Sequence, residues 1–334
     1  MRTKLIFFGN LIFGFLLLSI ILWLYGGPAL LVLARDPSLA LILAFAVALV
    51  ASITSLSWRW GYLLAGLNES LSLHKLVAYR SGAHTLAILI PSGKLGGDPL
   101  RAWLAIRAGV SPPTSIASVA VDRTQEIGST APFSLIFAAL LIQADVPHVE
   151  RALITVGVGV LGLAAGVTLS LRRLRRGAGL ISALIRSTRL NRINFIRSHS
   201  DIIETSETSL LRLSQQSQRM IIAFVMGLFA NLVVILEFAF LLSAFDLPAN
   251  TTAIAAALFA TGAAHLLPIP ASVGVLEGAQ IWIFGMLGYP ADIGLAVGLA
   301  ARLRELLWML PGVIYLIASP LTDGSLGNGK ASSL

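Results

Sequence analysis

The chain contains no cysteine, which excludes disulfides, thiolate catalysis and cysteine-ligated metal. It also has little charge. Asp, Glu, Lys and Arg make up 12% of its 334 residues, about half the share of a soluble domain. That is too few to solvate a soluble surface. No HExxH or GxSxG pattern occurs, and no Walker lysine and serine follow the single Gly-Gly-Asp turn. The sequence therefore carries no hydrolase or nucleotide-loop signature, and no metal or other cofactor is expected.

What is present is apolar. Hydrophobic residues reach 56% and mean hydropathy is +0.85. The apolar residues come in runs long enough to cross a hydrocarbon core of about 30 Å as helix. These features specify an all-α polytopic membrane protein whose working residues lie within the bilayer. Residues 1–320 form one transmembrane domain, and the polar tail 321–334 is expected to be disordered. The N-terminal apolar run is too long for a cleaved signal peptide and reads as a first transmembrane helix.

Six full spans are expected: Leu5–Leu31, Leu39–Leu64, Ser115–Leu141, Ala152–Leu171, Met220–Phe245 and Ala291–Ser319. Two further apolar segments, Ser81–Gly109 and Thr251–Gly288, are interrupted by LIPSGKLGGDP and LPIPASVGVLEG. Each reads as a pair of half-helices that enter and leave on one face. Non-helical backbone at membrane depth is tolerated only when protein or water shields it.

The net charge of +8 is concentrated in the loop Arg172–Arg219, which holds ten arginines. Positive-inside topology accounts for such a cluster, so no nucleic-acid partner is expected. This rule puts that loop, both termini and the first broken segment on the cytoplasmic side of a cell (inner) membrane. The second broken segment then opens on the opposite side. Within the loop, ISALIRSTRLNRINFI interleaves apolar and basic residues, as an interfacial helix would, although a solvated loop serves topology equally well.

The two broken segments align at a fixed offset of 179 residues. Pro91 pairs with Pro270, Asp98 with Glu277, Trp103 with Trp282, Gly109 with Gly288, Arg123 with Arg302 and Glu126 with Glu305. Identity elsewhere is weak. Three full spans separate the copies, so the second is upside down. Inverted repeats with broken helices build the substrate site of many secondary transporters near the bilayer midplane. The expected halves are residues 35–172 and 217–319.

Charge inside a span costs at least ~2.5 kcal/mol per group on insertion scales. Asp122, Arg123, Glu126, Glu237, Arg302, Arg304 and Glu305 all lie inside spans. Arg123/Glu126 and Arg302/Glu305 are spaced i,i+3, so each pair shares a helical face. The pairs either glue helices together or face a hydrated cavity in which arginine binds an anion bidentately. In KLGGDPLR, Gly96 and Gly97 suit a tight turn, Asp98 a helix cap and Pro99 a first turn, with Arg101 one turn on. The amides at that half-helix N-terminus favour an anion. Gly274 and Glu277 hold similar places in the second copy, and Pro91, Pro270 and Gly274 mark the turns. His84 and His265 lie in the broken segments, where a hydrogen-bonded structural role is favoured over proton relay. His265 is retained among the candidate substrate contacts.

The run IPSGKLGGDPLRAWLAIRAG, followed by SVAVDRTQE, resembles the P-x-x-x-x-GGD-x-x-R signature of the lysylphosphatidylglycerol synthase transmembrane region, a flippase-like family. LPIPASVGVLEGAQ with AARLRELLWMLPG resembles its second signature. The resemblance implies a multispan protein with two re-entrant segments that handles lipid between leaflets. The Pro-x-Pro-Ala form is similar to a hopanoid-associated branch. Full synthases carry a soluble aminoacyl-transferase domain after this region, so the resemblance does not imply lysyl transfer.

The leading expectation is a lipid flippase that takes a phospholipid or hopanoid-type lipid and binds its headgroup in turn at Arg123 and Arg302. It is not expected to be an enzyme. The rivals are a membrane enzyme using Asp98, Glu126 or Glu277 as acid or base, and an assembly partner that recruits a lipid-biosynthesis enzyme through the basic loop. The partners implied are membrane lipids and further copies of the chain as a homo-oligomer.

Overall fold

The computed structural model describes residues 2–90, 96–147, 200–265, 267 and 269–318, with isolated positions between 154 and 173. Ten α-helices account for most of these residues: α1 Arg2–Leu33, α2 Leu39–Ala65, α3 Leu73–Leu89, α4 Asp98–Arg107, α5 Pro112–Gln143, α6 Ser200–Ser214, α7 Ser217–Ala244, α8 Thr251–Ala264, α9 Val275–Met286 and α10 Ala291–Ala318. Among the described residues there is no strand. Among the described residues, four helices are long and apolar enough to cross a membrane: the Ile12–Leu33 part of α1, then α2, α5 and α7. The 28-residue α10 is also long enough, but it carries three charges near its middle. The expected span Ala152–Leu171 falls almost wholly outside the described residues. So do Pro91, the interfacial stretch 181–196 and the tail 321–334.

The repeat is present in the helices. Offset by 179 residues, the C-terminus of α2 at Ala65 falls on that of α7 at Ala244, and the start of α5 at Pro112 on that of α10 at Ala291. Gly109 and Gly288 both take left-handed backbone just beyond the second half-helix, with φ of 101° and 84°. A glycine ends a helix there without a Cβ penalty. Trp103 and Trp282 are exposed to nearly the same degree.

The inversion is visible in the α2–α7 pair. Ser38, preceding α2, donates its backbone N–H to Ala244 O at the end of α7 (3.1 Å). Gln216, preceding α7, donates Nε2–H to Gly66 O at the end of α2 (2.8 Å). Equivalent helices of the two copies are therefore antiparallel. Each copy also lends its first half-helix to the other, since α3 packs on α10 and α8 on α5. The α3–α10 crossing is made by Gly82 and Gly312. A Cβ on Gly312 would lie 2.0 Å from Gly82 N. Small residues at such crossings let helix backbones approach closely in lipid.

Both hairpins return to the face they left. At the base of the first, Ser111 N–H donates to Glu69 Oε1 (3.3 Å). At the base of the second, Asn250 Nδ2–H donates to the Tyr289 hydroxyl (3.3 Å). The first hairpin is longer than the sequence suggests, because α3 begins at Leu73 rather than near Ser81. His74, Lys75 and Arg80 lower the apolar signal of that stretch, and Arg80 finds its ion-pair partners on α5.

Helix α6 was not expected within the basic loop. Its Ser206, Glu207 and Leu213 are buried, and it packs against α5. Outward faces elsewhere are apolar: Val47, Ile221 and Ile314 are each more than 60% exposed. Water would penalise such surfaces, whereas lipid tails are as apolar as they are.

Candidate functional site

Most of the buried charges among the described residues fall into two clusters, one per hairpin. The first centres on Asp122, which lies ten residues into α5, about 15 Å along the helix. Its side chain is fully buried and accepts from arginines on three other helices. Arg59 Nε on α2 bonds Oδ1 (2.8 Å), while Arg80 Nη1 on α3 (2.8 Å) and Arg101 Nη1 on α4 (2.7 Å) bond Oδ2. One turn on, Glu126 accepts from Arg80 and from Arg123 Nη1 (3.1 Å). Asp98 lies 3.3 Å from Arg101 and 3.8 Å from Arg123. Arg101 also lies against the Trp60 ring, 5.0 Å from its centroid.

Four arginines meet three carboxylates, leaving a formal charge of +1. The guanidiniums carry about 20 N–H donors against about 12 carboxylate acceptor sites. Consistent with that surplus, Arg59 Nη1, Arg101 Nε and Arg123 Nε are buried without a hydrogen-bond acceptor. A cavity of about 190 Å³ opens beside the cluster. Arg80, Arg123 and Glu126 from the first repeat line it, and Arg304 and Trp308 on α10 close it from the second. His84 also lines it and packs at a tilt against Trp308, with ring centroids 4.8 Å apart and planes at 54°.

Two expectations about the turn change. Asp98 does not cap α4. The N-cap is Gly97, no side-chain cap bond forms, and Asp98 is the first helical residue, its carboxylate given to arginines. Nor is Gly97 required for an unusual turn, because its φ of −83° is open to any residue. It is required for close approach: a Cβ there would lie 1.9 Å from Ala83 O. Gly96 precedes it at the start of the described turn.

The second cluster is built differently. At the break between α8 and α9, Pro270–Ser272 form a short 3-10 turn in which Ala271 and Ser272 take left-handed φ of 54° and 46°. Such backbone costs a non-glycine residue roughly 1–2 kcal/mol. Arg302 holds the turn by donating Nη1–H to Ala271 O (2.6 Å) and Nη2–H to Ser272 O (3.2 Å). It also binds Glu277 (3.0 Å) and Glu305 (2.7 Å). Gly274 follows at φ 73°, and a Cβ there would lie 2.7 Å from Gly14 O on α1. His265 reaches Glu305 Oε1 (2.5 Å) through Nε2 and Thr261 O (2.6 Å) through Nδ1. Arg304 grips the fully buried Glu237 with Nε (2.5 Å) and Nη2 (3.3 Å).

The i,i+3 pairs therefore form, each inside a larger network. The copies differ in charge. At the positions equivalent to Arg59, Arg80, Arg101 and Asp122, the second copy has Phe238, Phe259, Gln280 and Ala301. The arginine-rich, donor-surplus site belongs to the first copy alone.

The transmembrane region of lysylphosphatidylglycerol synthase, as a family, matches residues 7–312, almost the whole chain. The chain belongs to this family. Membership places it among multi-pass membrane proteins related to lipid handling. No curated protein and no solved structure matches it. Of the candidate substrate contacts in this family member, Asp98, Arg101, Arg123, Glu126 and Arg304 line the cavity, whereas Glu237, His265, Glu277, Arg302 and Glu305 lie in the second cluster, away from its lining. The sequence reading missed Arg59 and Arg80 and gave Asp122 no role in the site. The signal was available for Arg59, since a charged residue inside the apolar run of α2 is itself a functional pointer.

Proposed function

We propose that the chain carries an amphiphile with an anionic headgroup between leaflets and holds that headgroup in the cavity between the first hairpin and α10. The observation that supports this most is the donor-surplus cluster opening onto a cavity walled by both inverted repeats. In a low-dielectric site, unpaired guanidinium donors attract phosphate oxygens, and arginine stays charged when desolvated. Arg123 is best suited to the first contact. It is 22% exposed, and it is held by Glu126 and only loosely by Asp98. Arg304 faces it from the other repeat. Arg302 is assigned to holding the second hairpin, because its donors are spent on the strained turn and two glutamates.

Translocation of a fluorescent phosphatidylglycerol in vesicles reconstituted with the full chain tests this. Losing one charge-assisted contact of about 1.5–3 kcal/mol should slow Arg123→Ala by about 10- to 100-fold. Its unfolding temperature should stay near that of the wild type, because Arg123 is only partly buried. Unchanged translocation in Arg123→Ala would sink the assignment.

A further inference from the structure

We propose that the second hairpin binds one exchangeable proton between His265 and Glu305, and that this proton couples lipid movement to a proton gradient. The coupling half rests on the transport reading above; the proton site does not.

The site follows from hydrogen-bond chemistry. His265 Nδ1 lies 2.6 Å from Thr261 O, and a carbonyl oxygen only accepts. Nδ1 therefore carries a hydrogen. A neutral imidazole has one N–H, so its Nε2 would then present a lone pair. That Nε2 lies 2.5 Å from Glu305 Oε1. Two lone pairs do not approach so closely, whereas an additional proton between them turns the contact into a hydrogen bond. Whether the proton rests on the imidazole or the carboxyl, the pair holds one more than a neutral histidine beside a carboxylate.

Charge counting independently calls for one proton in the cluster, and the His265–Glu305 contact gives its place. Without the extra proton, Arg302 and Arg304 face Glu237, Glu277 and Glu305, leaving the buried cluster at −1. One proton brings it to zero. Uncompensated charge at membrane depth is expensive, and intramembrane Glu–His pairs are suited to proton relay. The remaining charged groups on the elements packed against α8 are Asp292 on α10, Arg219 on α7, and Asp122, Arg123 and Glu126 on α5. The last three are bound within the first cluster, and Asp292 and Arg219 lie in the first turns of their helices.

The coupling path is short. His265 caps the C-terminal end of α8 at the break, and Glu305 lies on α10 between Arg304 and Trp308, both of which wall the cavity. With the proton in place, α8 is tied to α10. Without it, Nε2 and the carboxylate repel, and this tie between α8 and α10 is lost next to the cavity wall.

Two measurements on the full chain in lipid separate the parts. Nitrogen-15 NMR of histidine-labelled protein in nanodiscs reads the His265 ring, with His265→Gln assigning its signal. The expected result is an additional proton on the His265–Glu305 pair at neutral pH, absent in Glu305→Gln. A singly protonated His265 indifferent to Glu305→Gln between pH 5 and 9 would overturn the site. In phosphatidylethanolamine–phosphatidylglycerol vesicles, a one-unit pH gradient should change wild-type phosphatidylglycerol translocation by up to about tenfold. In His265→Gln the ratio of rates with and without the gradient should fall to one. A wild-type rate indifferent to the gradient overturns coupling and leaves the transport reading intact. No translocation under any condition overturns the transport reading and coupling together, and the NMR result then decides the proton site.

Discussion

Asp122→Ala should cost the chain about 3–5 kcal/mol and most of its folded yield. This carboxylate accepts from Arg59, Arg80 and Arg101, and its side chain is fully buried. Removing it raises the first cluster from +1 to +2 where water cannot reach Arg59. Breaking a buried ion pair is far more damaging than never having built one, because the stranded charge stays desolvated. The second repeat shows how the same scaffold dispenses with the charge, since Gln280 and Ala301 stand where the first has Arg101 and Asp122. Gln280 places its Nε2 donors on Ala257 O (2.9 Å) and Thr261 Oγ1 (3.0 Å) without adding a charge. The double change Asp122→Ala with Arg101→Gln restores the charge to +1 and should recover part of the lost stability. Thermal unfolding of the solubilised variants provides the check. An Asp122→Ala protein as stable as wild type would contradict the account of the cluster.

Gly97→Ala should lower stability by about 3 kcal/mol and reduce translocation sharply, although alanine is ordinarily the better helix former. Its backbone angles would accept alanine. The obstacle is the Ala83 carbonyl oxygen, 1.9 Å from the new Cβ, with the Ala87 Cβ at 3.1 Å. Backbone cannot swing aside as a side-chain tip can, so α4 must move away from α3. Overpacking of this kind typically costs 1–3 kcal/mol. The displaced helix carries Asp98 and Arg101, so the cavity wall moves with it. Equal stability and translocation in Gly97→Ala and wild type would show that α3 and α4 are not held so closely.

The layout of the fold was legible in the sequence because it is written in local or periodic signals. Apolar runs marked α1, α2, α5 and α7, and Pro-Gly interruptions marked the two hairpins. One register tied Arg123 to Arg302 and Gly109 to Gly288. The inversion followed from span parity, and the α2–α7 contacts confirm it. The site was legible only where partners are close in sequence. Arg123 and Glu126 share a helical face and could be paired on paper. Arg59 and Arg80 reach Asp122 across 63 and 42 residues, and His265 reaches Glu305 across 40. Spacing cannot reveal such pairs, because they depend on how helices cross. Gly97 was singled out for the wrong physical reason: its sequence context suggested a turn, whereas the structure uses its missing side chain for contact. Helix α6 escaped notice because it is amphipathic and has no long apolar run, in a loop marked by its arginines.

The most direct test of the central claim is to ask what occupies the cavity. A photoreactive benzoylphenylalanine at position 84 projects from the cavity lining, and one at position 47 points to the lipid-facing surface. After illumination in native membranes, mass spectrometry reads any attached lipid. The account predicts that position 84 captures lipids with anionic headgroups, that Arg123→Ala abolishes this capture, and that position 47 captures bulk lipid without preference. Capture at position 84 that matches bulk lipid and persists in Arg123→Ala would contradict it.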